Sequence, residues 1–212
     1  GLRPVESGRV TFDGDDITRM SRRKRIEAGI AYVPEDRQER GLVQEYSLAR
    51  NALLGNQTIE PFVNGGFIDW EAVRDHAKEV ISEYDVQPPN LDAEAHSLSG
   101  GNQQKFVVGR ELEHHPDLVV ASHPTRGVDI GSIEFIHNRL LEMRDAGLAI
   151  LLVSSKLDEV QKLSDRLAVI SEGRFVDIVD PDEVTEEEIG LMMAGQKRRE
   201  TTDGEVEPGI QS

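Results

Sequence analysis

Residues 97–105 place a hydroxyl and two glycines immediately before a periodic apolar run at residues 106–112. The hydroxyl of Ser99 stands where a side chain caps a helix, and the first backbone N–H groups of a helix have no acceptor within it. Those groups, together with the positive end of the helix dipole, attract an anion. The segment therefore predicts a helix whose first turn binds phosphate. Taken alone, a Ser-Gly-Gly step would also fit an ordinary cap on an amphipathic helix.

Three segments of the chain together resemble the ATPases of ATP-binding cassette (ABC) transporters. Residues 98–105 read LSGGNQQK, which is similar to the LSGGQ signature of that family as spelled in the second ATPase half of sugar and nucleoside importers. Residues 30–43 contain YVPEDR and GLV and resemble the Q-loop region of those halves. Residues 124–129 read PTRGVD and resemble the stretch between the Walker B strand and the D-loop. We call these the signature segment (97–105), the Q-loop segment and the PTRGVD segment.

The resemblance implies the fold. We expect an α/β, P-loop-type ABC ATPase domain with a mostly parallel sheet, a helical subdomain insertion and an antiparallel edge near the start of the chain. This partial ABC ATPase domain is predicted to span residues 1–195, with the helical subdomain at about 44–115. Residues 196–212 carry a basic triplet followed by acidic and small residues, and they predict a disordered tail.

Local patterns predict several elements within this domain. Asp69 is expected to cap a long helix, and the apolar face of that helix is predicted to comprise Trp70, Val73, Ala77, Val80 and Ile81. His114 and His115 are adjacent and have no further ligands at zinc spacing, so they predict a surface turn rather than a metal site. Residues 181–194 predict one acidic terminal helix.

Several residues that hydrolyse ATP in the family are missing or altered. No GxxxxGK followed by Ser or Thr occurs, so the Walker A lysine and hydroxyl are absent, which predicts a fragment of a longer polypeptide or a gene that has lost its front end. At the positions that the resemblance assigns to catalysis, the chain carries Glu35 for the Q-loop glutamine, Ser122 and His123 for the Walker B carboxylates, and Ser155 for the switch histidine. We therefore expect a degenerate catalytic site and no metal ligands in this chain. For Glu35, both a solvated loop carboxylate and a cation ligand remain open.

The resemblance also implies which residues bind nucleotide. In ABC dimers each ATP lies between the Walker A loop of one half and the signature of the other. Ser99, Gly100, Gly101 and Gln103 are accordingly predicted to bind ATP, with Mg²⁺ held mainly by the partner half. Asp129, in the D-loop, is predicted to help align the two halves.

The implied function is that of an ATP-binding subunit, as a partial second half, of an importer for nucleosides or sugars. Its implied partners are another ABC ATPase half and transmembrane permease subunits, and its implied place is peripheral, on the cytoplasmic face of the cell membrane. A non-hydrolysing regulatory or vestigial protein with the ABC shape is the alternative. The head of a DNA-repair or chromosome-maintenance ATPase shares the signature, but the acidic composition and the lack of heptad-periodic flanks argue against it.

The charge balance limits the partners. The chain has 40 acidic and 24 Lys or Arg residues and a formal net charge of -16, so we expect no nucleic-acid partner. The strongest apolar run, at residues 148–153, falls far short of the roughly 18 residues that span a bilayer, so no direct membrane insertion is expected. The absence of cysteine excludes disulfides. Such acidity also suggests a halophilic source, where high salt screens the repulsion.

Overall fold

The computed structural model describes residues 1–196, which divide into two compact units with a boundary between Ser154 and Ser155. The predicted tail, apart from Gln196, lies outside the described residues. The elements of the first unit follow in this order: β1 (Thr11–Phe12), β2 (Asp15–Asp16), α1 (Arg22–Glu27), β3 (Ile30–Val33), a π-helical turn (Arg37–Gly41), α2 (Leu48–Ala52), β4 (Val63–Asn64), β5 (Phe67–Ile68), α3 (Trp70–Glu83), a 3₁₀ turn (Ala95–Ser97), α4 (Gly100–Leu112), β6 (Leu118–Ser122), α5 (Ile130–Asp145) and β7 (Ala149–Val153).

The centre of the first unit is a parallel sheet in the order β3, β6, β7. Strand alternation turns Val119 and Ala121 of β6 to one face, where one buried cluster joins the sheet to α2, α3, α4 and α5. On the opposite face of β7, Leu151 and Val153 are 54% and 46% exposed. The short pairs β1–β2 and β4–β5 are antiparallel. The predicted α/β class, with a mostly parallel sheet and antiparallel strands, is confirmed.

Side-chain caps decide where the helices of this unit begin. In each case an oxygen accepts a hydrogen bond from an N–H group of the first turn, which contributes about 1 kcal/mol to helix stability. The caps are Ser21, Ser47, Asp69, Ser99 and Asp129. The predicted cap at Asp69 is therefore confirmed.

The predicted apolar face of α3 is correct except at its first position. Val73, Ala77, Val80 and Ile81 are buried, whereas Trp70 is 48% exposed. A helical side chain leans over the turn that precedes it, and Trp70 opens the helix, so no preceding turn of α3 lies beneath it.

The prediction of a surface turn at the paired histidines holds for one of them. His115 is exposed and has a positive φ of 49°. His114 instead packs inward, because its ring stacks on His76 with centroids 4.5 Å apart and meets the edge of Phe62 at 5.4 Å. The partner His76 lies far away in the sequence, so no local pattern could have paired the two rings.

The second unit contains α6 (Leu157–Leu163), β8 (Leu167–Ser171), β9 (Arg174–Val179), a 3₁₀ turn (Pro181–Glu183) and α7 (Glu186–Met193). Strands β8 and β9 form an antiparallel hairpin. The prediction of one terminal helix at 181–194 is wrong, because Thr185 and Glu188 form a reciprocal capping box that starts α7 anew. Within residues 1–196, no helix combines the length and the apolar character needed to cross a membrane.

Candidate nucleotide-binding site

The first turn of α4 begins at the predicted Ser99 cap. Ser99 is exposed, and its Oγ accepts hydrogen bonds from the backbone N–H of Asn102 at 3.3 Å and from the Asn102 side chain at 3.1 Å. As at the start of any α-helix, the N–H groups of Gly100 and Gly101 have no acceptor in the preceding turn. Gly101 is buried and Gly100 is half-buried, so solvent reaches this end of the helix mainly through Ser99 and Gly100.

Close packing explains both glycines. A Cβ added to Gly100 would lie 2.5 Å from Nη2 of Arg37, and one added to Gly101 would lie 2.3 Å from Oγ of Ser132 and 2.4 Å from Oδ2 of Asp129. Any larger residue would force these neighbours to move. The start of α4 is therefore held directly against the start of α5.

Asp129 links the signature segment to α5. Its Oδ1 accepts a hydrogen bond from the backbone N–H of Ser132 at 2.9 Å, and its Oδ2 accepts one from the Ser132 hydroxyl at 2.9 Å. These two bonds, the backbone bond first, hold the pKa of Asp129 below its usual value. Asp129 is thus ionised at neutral pH and caps α5 beside Gly101.

The Q-loop and PTRGVD segments meet beside the same helix end. Arg37 donates to the carbonyl oxygen of Arg126 at 2.9 Å through Nη1 and to that of Gly127 at 3.2 Å through Nη2. The Arg126 side chain forms an ion pair with Glu35. The structure thereby places Arg37 and Asp129 against the start of α4, and it joins Glu35 to the PTRGVD segment through Arg126. One oxygen of Glu35 therefore has Arg126 as a partner, and the role of Glu35 as a solvated carboxylate or a cation ligand stays a prediction.

Comparison with known proteins identifies the family. The sequence profile described as "ABC transporter" matches residues 1–126. This chain belongs to the ABC transporter family.

Relatives and solved structures agree with this assignment. The chain is 46% identical over 200 residues to the guanosine import ATP-binding protein NupO of Bacillus subtilis (strain 168), covering 94% of this chain and 39% of that protein. It is 40% identical over 212 residues to the glucose import ATP-binding protein TsgD13 of Haloferax volcanii, covering 99% of this chain and 38% of that protein. The chain thus spans about two fifths of the length of these relatives.

A nucleotide-free ATP-binding cassette from an ABC transporter superimposes with a TM-score of 0.71 at 25% identity, covering 92% of this chain and 76% of that structure. A dimeric ATP-binding cassette bound to ADP and Pi superimposes with a TM-score of 0.70 at 18% identity, covering 85% and 76%. At 18% identity, the second match supports the fold alone.

Gln103 occupies a different environment from Ser99 within the ABC signature segment. Its side chain is buried, and Nε2 donates to the carbonyl oxygen of Ala95 at 2.9 Å and to Oε1 of Gln44 at 3.2 Å. These bonds tie α4 to the 3₁₀ turn that leads into the signature segment. Nucleotide binding by Gln103 stays a prediction.

The positions aligned with ABC catalytic residues are spread over both units. Ser122 ends β6 and is half-buried, and His123 follows it with a positive φ of 46°. The backbone of His123 is fixed, since its N–H donates to Val153 at 2.8 Å and its carbonyl accepts from Arg126 at 3.0 Å. Ser155 is an exposed residue of the second unit, just before α6.

The carboxylates of this site do not suit Mg²⁺. No group of three or more His, Cys, Asp or Glu side chains within residues 1–196 could hold a metal ion. Glu35 is paired with Arg126, and the oxygens of Asp129 accept bonds from Ser132. Hard cations need several oxygen ligands, whereas the last residue of β6, Ser122, offers a hydroxyl and the next residue, His123, offers an imidazole. The side chains of this site therefore do not form a ligand set that suits Mg²⁺, and phosphate binding stays a prediction.

Sequence reasoning missed two residues of this site. Arg37 and Arg126 lie inside segments that resemble family motifs, yet nothing in their local pattern assigns them partners. Their contacts join positions about 90 residues apart, so only the folded chain reveals them.

Proposed function

We propose that this chain supplies the signature segment to a composite ATP site of an ABC importer, with nucleosides or sugars as cargo. The observation that carries the proposal is the solvent-accessible start of α4, where the exposed hydroxyl of Ser99 stands beside the tightly packed Gly100 and Gly101. The names of the relatives support the class of cargo. The 46% and 44% identities belong to guanosine and nucleoside import proteins, and the 40% identity belongs to a glucose import protein.

The proposed role of this site is to orient the terminal phosphate of ATP. Bound ATP supplies the phosphoryl group and its negative charge. The Ser99 hydroxyl and the N–H groups at the start of α4 would hold that charge, because they are already oriented and need no rearrangement as charge develops. Asp129 would align the two ATPase halves through the packed start of α5.

We further infer the remaining parts of the assembly. Mg²⁺, the Walker A lysine and the catalytic glutamate would come mainly from another ATPase half, because this sequence has no Walker A motif and because Ser122 and His123 offer no carboxylate. Permease subunits would anchor the complex, with this chain peripheral on the cytoplasmic face of the membrane. Residues 44–115 would form the helical subdomain of a partial ABC ATPase domain at 1–195, and the packing of α3 against both α2 and α4 supports this.

The second candidate is a non-hydrolysing regulatory protein that keeps the ABC shape. The substitutions at Ser122 and His123 favour it, since a chain without these carboxylates has little means of activating water itself. The two candidates differ in whether a partner ATPase needs this chain for turnover.

The test is ATP hydrolysis by the assembled complex with Ser99→Arg in this chain. The long cation would fill the space proposed for the phosphate, and we expect turnover to fall at least about tenfold, as for loss of an oriented oxyanion donor. Ser82→Arg, at an exposed position of α3, is the matched control and should stay within about twofold of wild type. Unchanged turnover in Ser99→Arg contradicts the proposal. Equal turnover of the partner ATPase with and without this chain favours the regulatory candidate.

A further inference from the structure

We propose that Arg37 is a positioning residue that holds the PTRGVD segment against the start of α4 and so sets the geometry of the phosphate-binding end. This inference rests on the proposed function, because it names what orients that site. Arg37 itself would not touch the nucleotide.

The guanidinium of Arg37 binds two consecutive carbonyl groups. Nη1 donates to Arg126 at 2.9 Å and Nη2 donates to Gly127 at 3.2 Å. Gly127 has a φ of 65°, a left-handed conformation that glycine adopts without strain. A planar fork with several fixed donors suits such a two-point contact, and a lysine ammonium does not reproduce it.

The same guanidinium touches the signature segment. The Cβ position of Gly100 lies 2.5 Å from Nη2 of Arg37 and 3.3 Å from the carbonyl oxygen of Gly127. Nη2 therefore lies where the PTRGVD segment and the first turn of α4 meet. A movement of the Arg37 side chain would change the distance between these two segments.

A second contact joins the same two loops but is weaker. The ion pair between Glu35 and Arg126 leaves their side chains 47% and 65% exposed, and exposed pairs contribute little. Arg37 is half-buried, and burial lowers its pKa while Asp36 opposes that shift. An arginine keeps its proton at any physiological pH, so Arg37 remains a donor. We therefore assign the positioning role to Arg37.

The experiment compares Arg37→Lys with Arg40→Lys, an exposed arginine on the same π-helical turn. In the chain alone, we expect Arg37→Lys to shift the amide ¹H–¹⁵N resonances of Gly100, Gly101 and Gly127, while Arg40→Lys leaves them in place. In the assembled complex, kcat for ATP should fall about tenfold in Arg37→Lys while KM stays within about threefold, since misplacement acts on the reacting geometry.

A second variant covers the case in which Arg37→Lys does not fold. Arg37→Gln keeps one amide donor, so it should show a smaller kcat loss and smaller resonance shifts than a variant with none, Arg37→Met. Wild-type resonances and kcat in these variants would overturn the proposal, as would equal effects in Arg40→Lys. Ser99→Arg separates the two ideas, because unchanged turnover there refutes the proposed function while the glycine resonances still test Arg37.

Discussion

Acidification should destabilise the first unit through His114. The ring of this residue is packed against His76 and Phe62, and its Nε2 is hydrogen-bonded to the side-chain amide of Asn56. Burial, and then the neighbouring charges of His76, Arg110 and His115, lower the pKa of His114 from 6.5 to about 3. The folded chain therefore holds this imidazole neutral, whereas the unfolded chain protonates it.

The sign and size follow from linkage. Because the pKa is lower in the folded state, the stability that His114 contributes is complete above about pH 6.5 and is lost as the pH falls towards 3. The pKa of His114 in the unfolded chain lies about 1.5 units above pH 5. At pH 5, protonation of this residue therefore stabilises the unfolded chain by about 2 kcal/mol relative to the folded one. Burial also lowers the pKa of His76, so the loss in wild type should be larger than this.

The assay is urea unfolding of the chain at pH 7.5 and pH 5.0, in wild type and in His114→Phe. Phenylalanine keeps a ring against His76 but cannot take a proton, and it leaves the buried amide of Asn56 without this partner at a cost of about 1–3 kcal/mol at pH 7.5. We expect the variant to lose about 2 kcal/mol less than wild type on acidification. Ser82→Ala, at an exposed position of α3 without a titratable group, should leave the loss unchanged. An equal loss in His114→Phe and wild type would refute this reasoning.

Two further predictions concern packing and salt. Gly101→Ala should destabilise the chain by about 1–3 kcal/mol in urea unfolding, because the added Cβ would overlap the side chains of Asp129 and Ser132. The control is Gly131→Ala, which should cause no loss of stability because its Cβ would make only an ordinary contact at 3.5 Å. Equal urea-unfolding midpoints for the two alanine variants would show that the close packing around Gly101 does not exclude a Cβ there. The net charge of -16 predicts a melting temperature that rises from low to multimolar KCl as repulsion is screened, and a flat or falling profile would contradict a halophilic source.

Local chemistry made much of the fold predictable. The caps at Asp69 and Ser99 were readable because each depends on a few neighbouring residues. The errors arose where a neighbour outside the pattern decided the outcome. Trp70 has no preceding helical turn to cover, and the cap at Thr185 divided the predicted terminal helix.

For the candidate site, the sequence alone determined the residue types: a hydroxyl and two glycines at a helix start, and Ser122 and His123 where the resemblance places carboxylates. These follow from composition and spacing within single segments. Only the tertiary structure decided that Arg37 binds the carbonyl groups of Arg126 and Gly127 and lies against Gly100. Such contacts depend on the close packing of segments that are remote in the chain, and the sequence does not encode that packing in any local pattern.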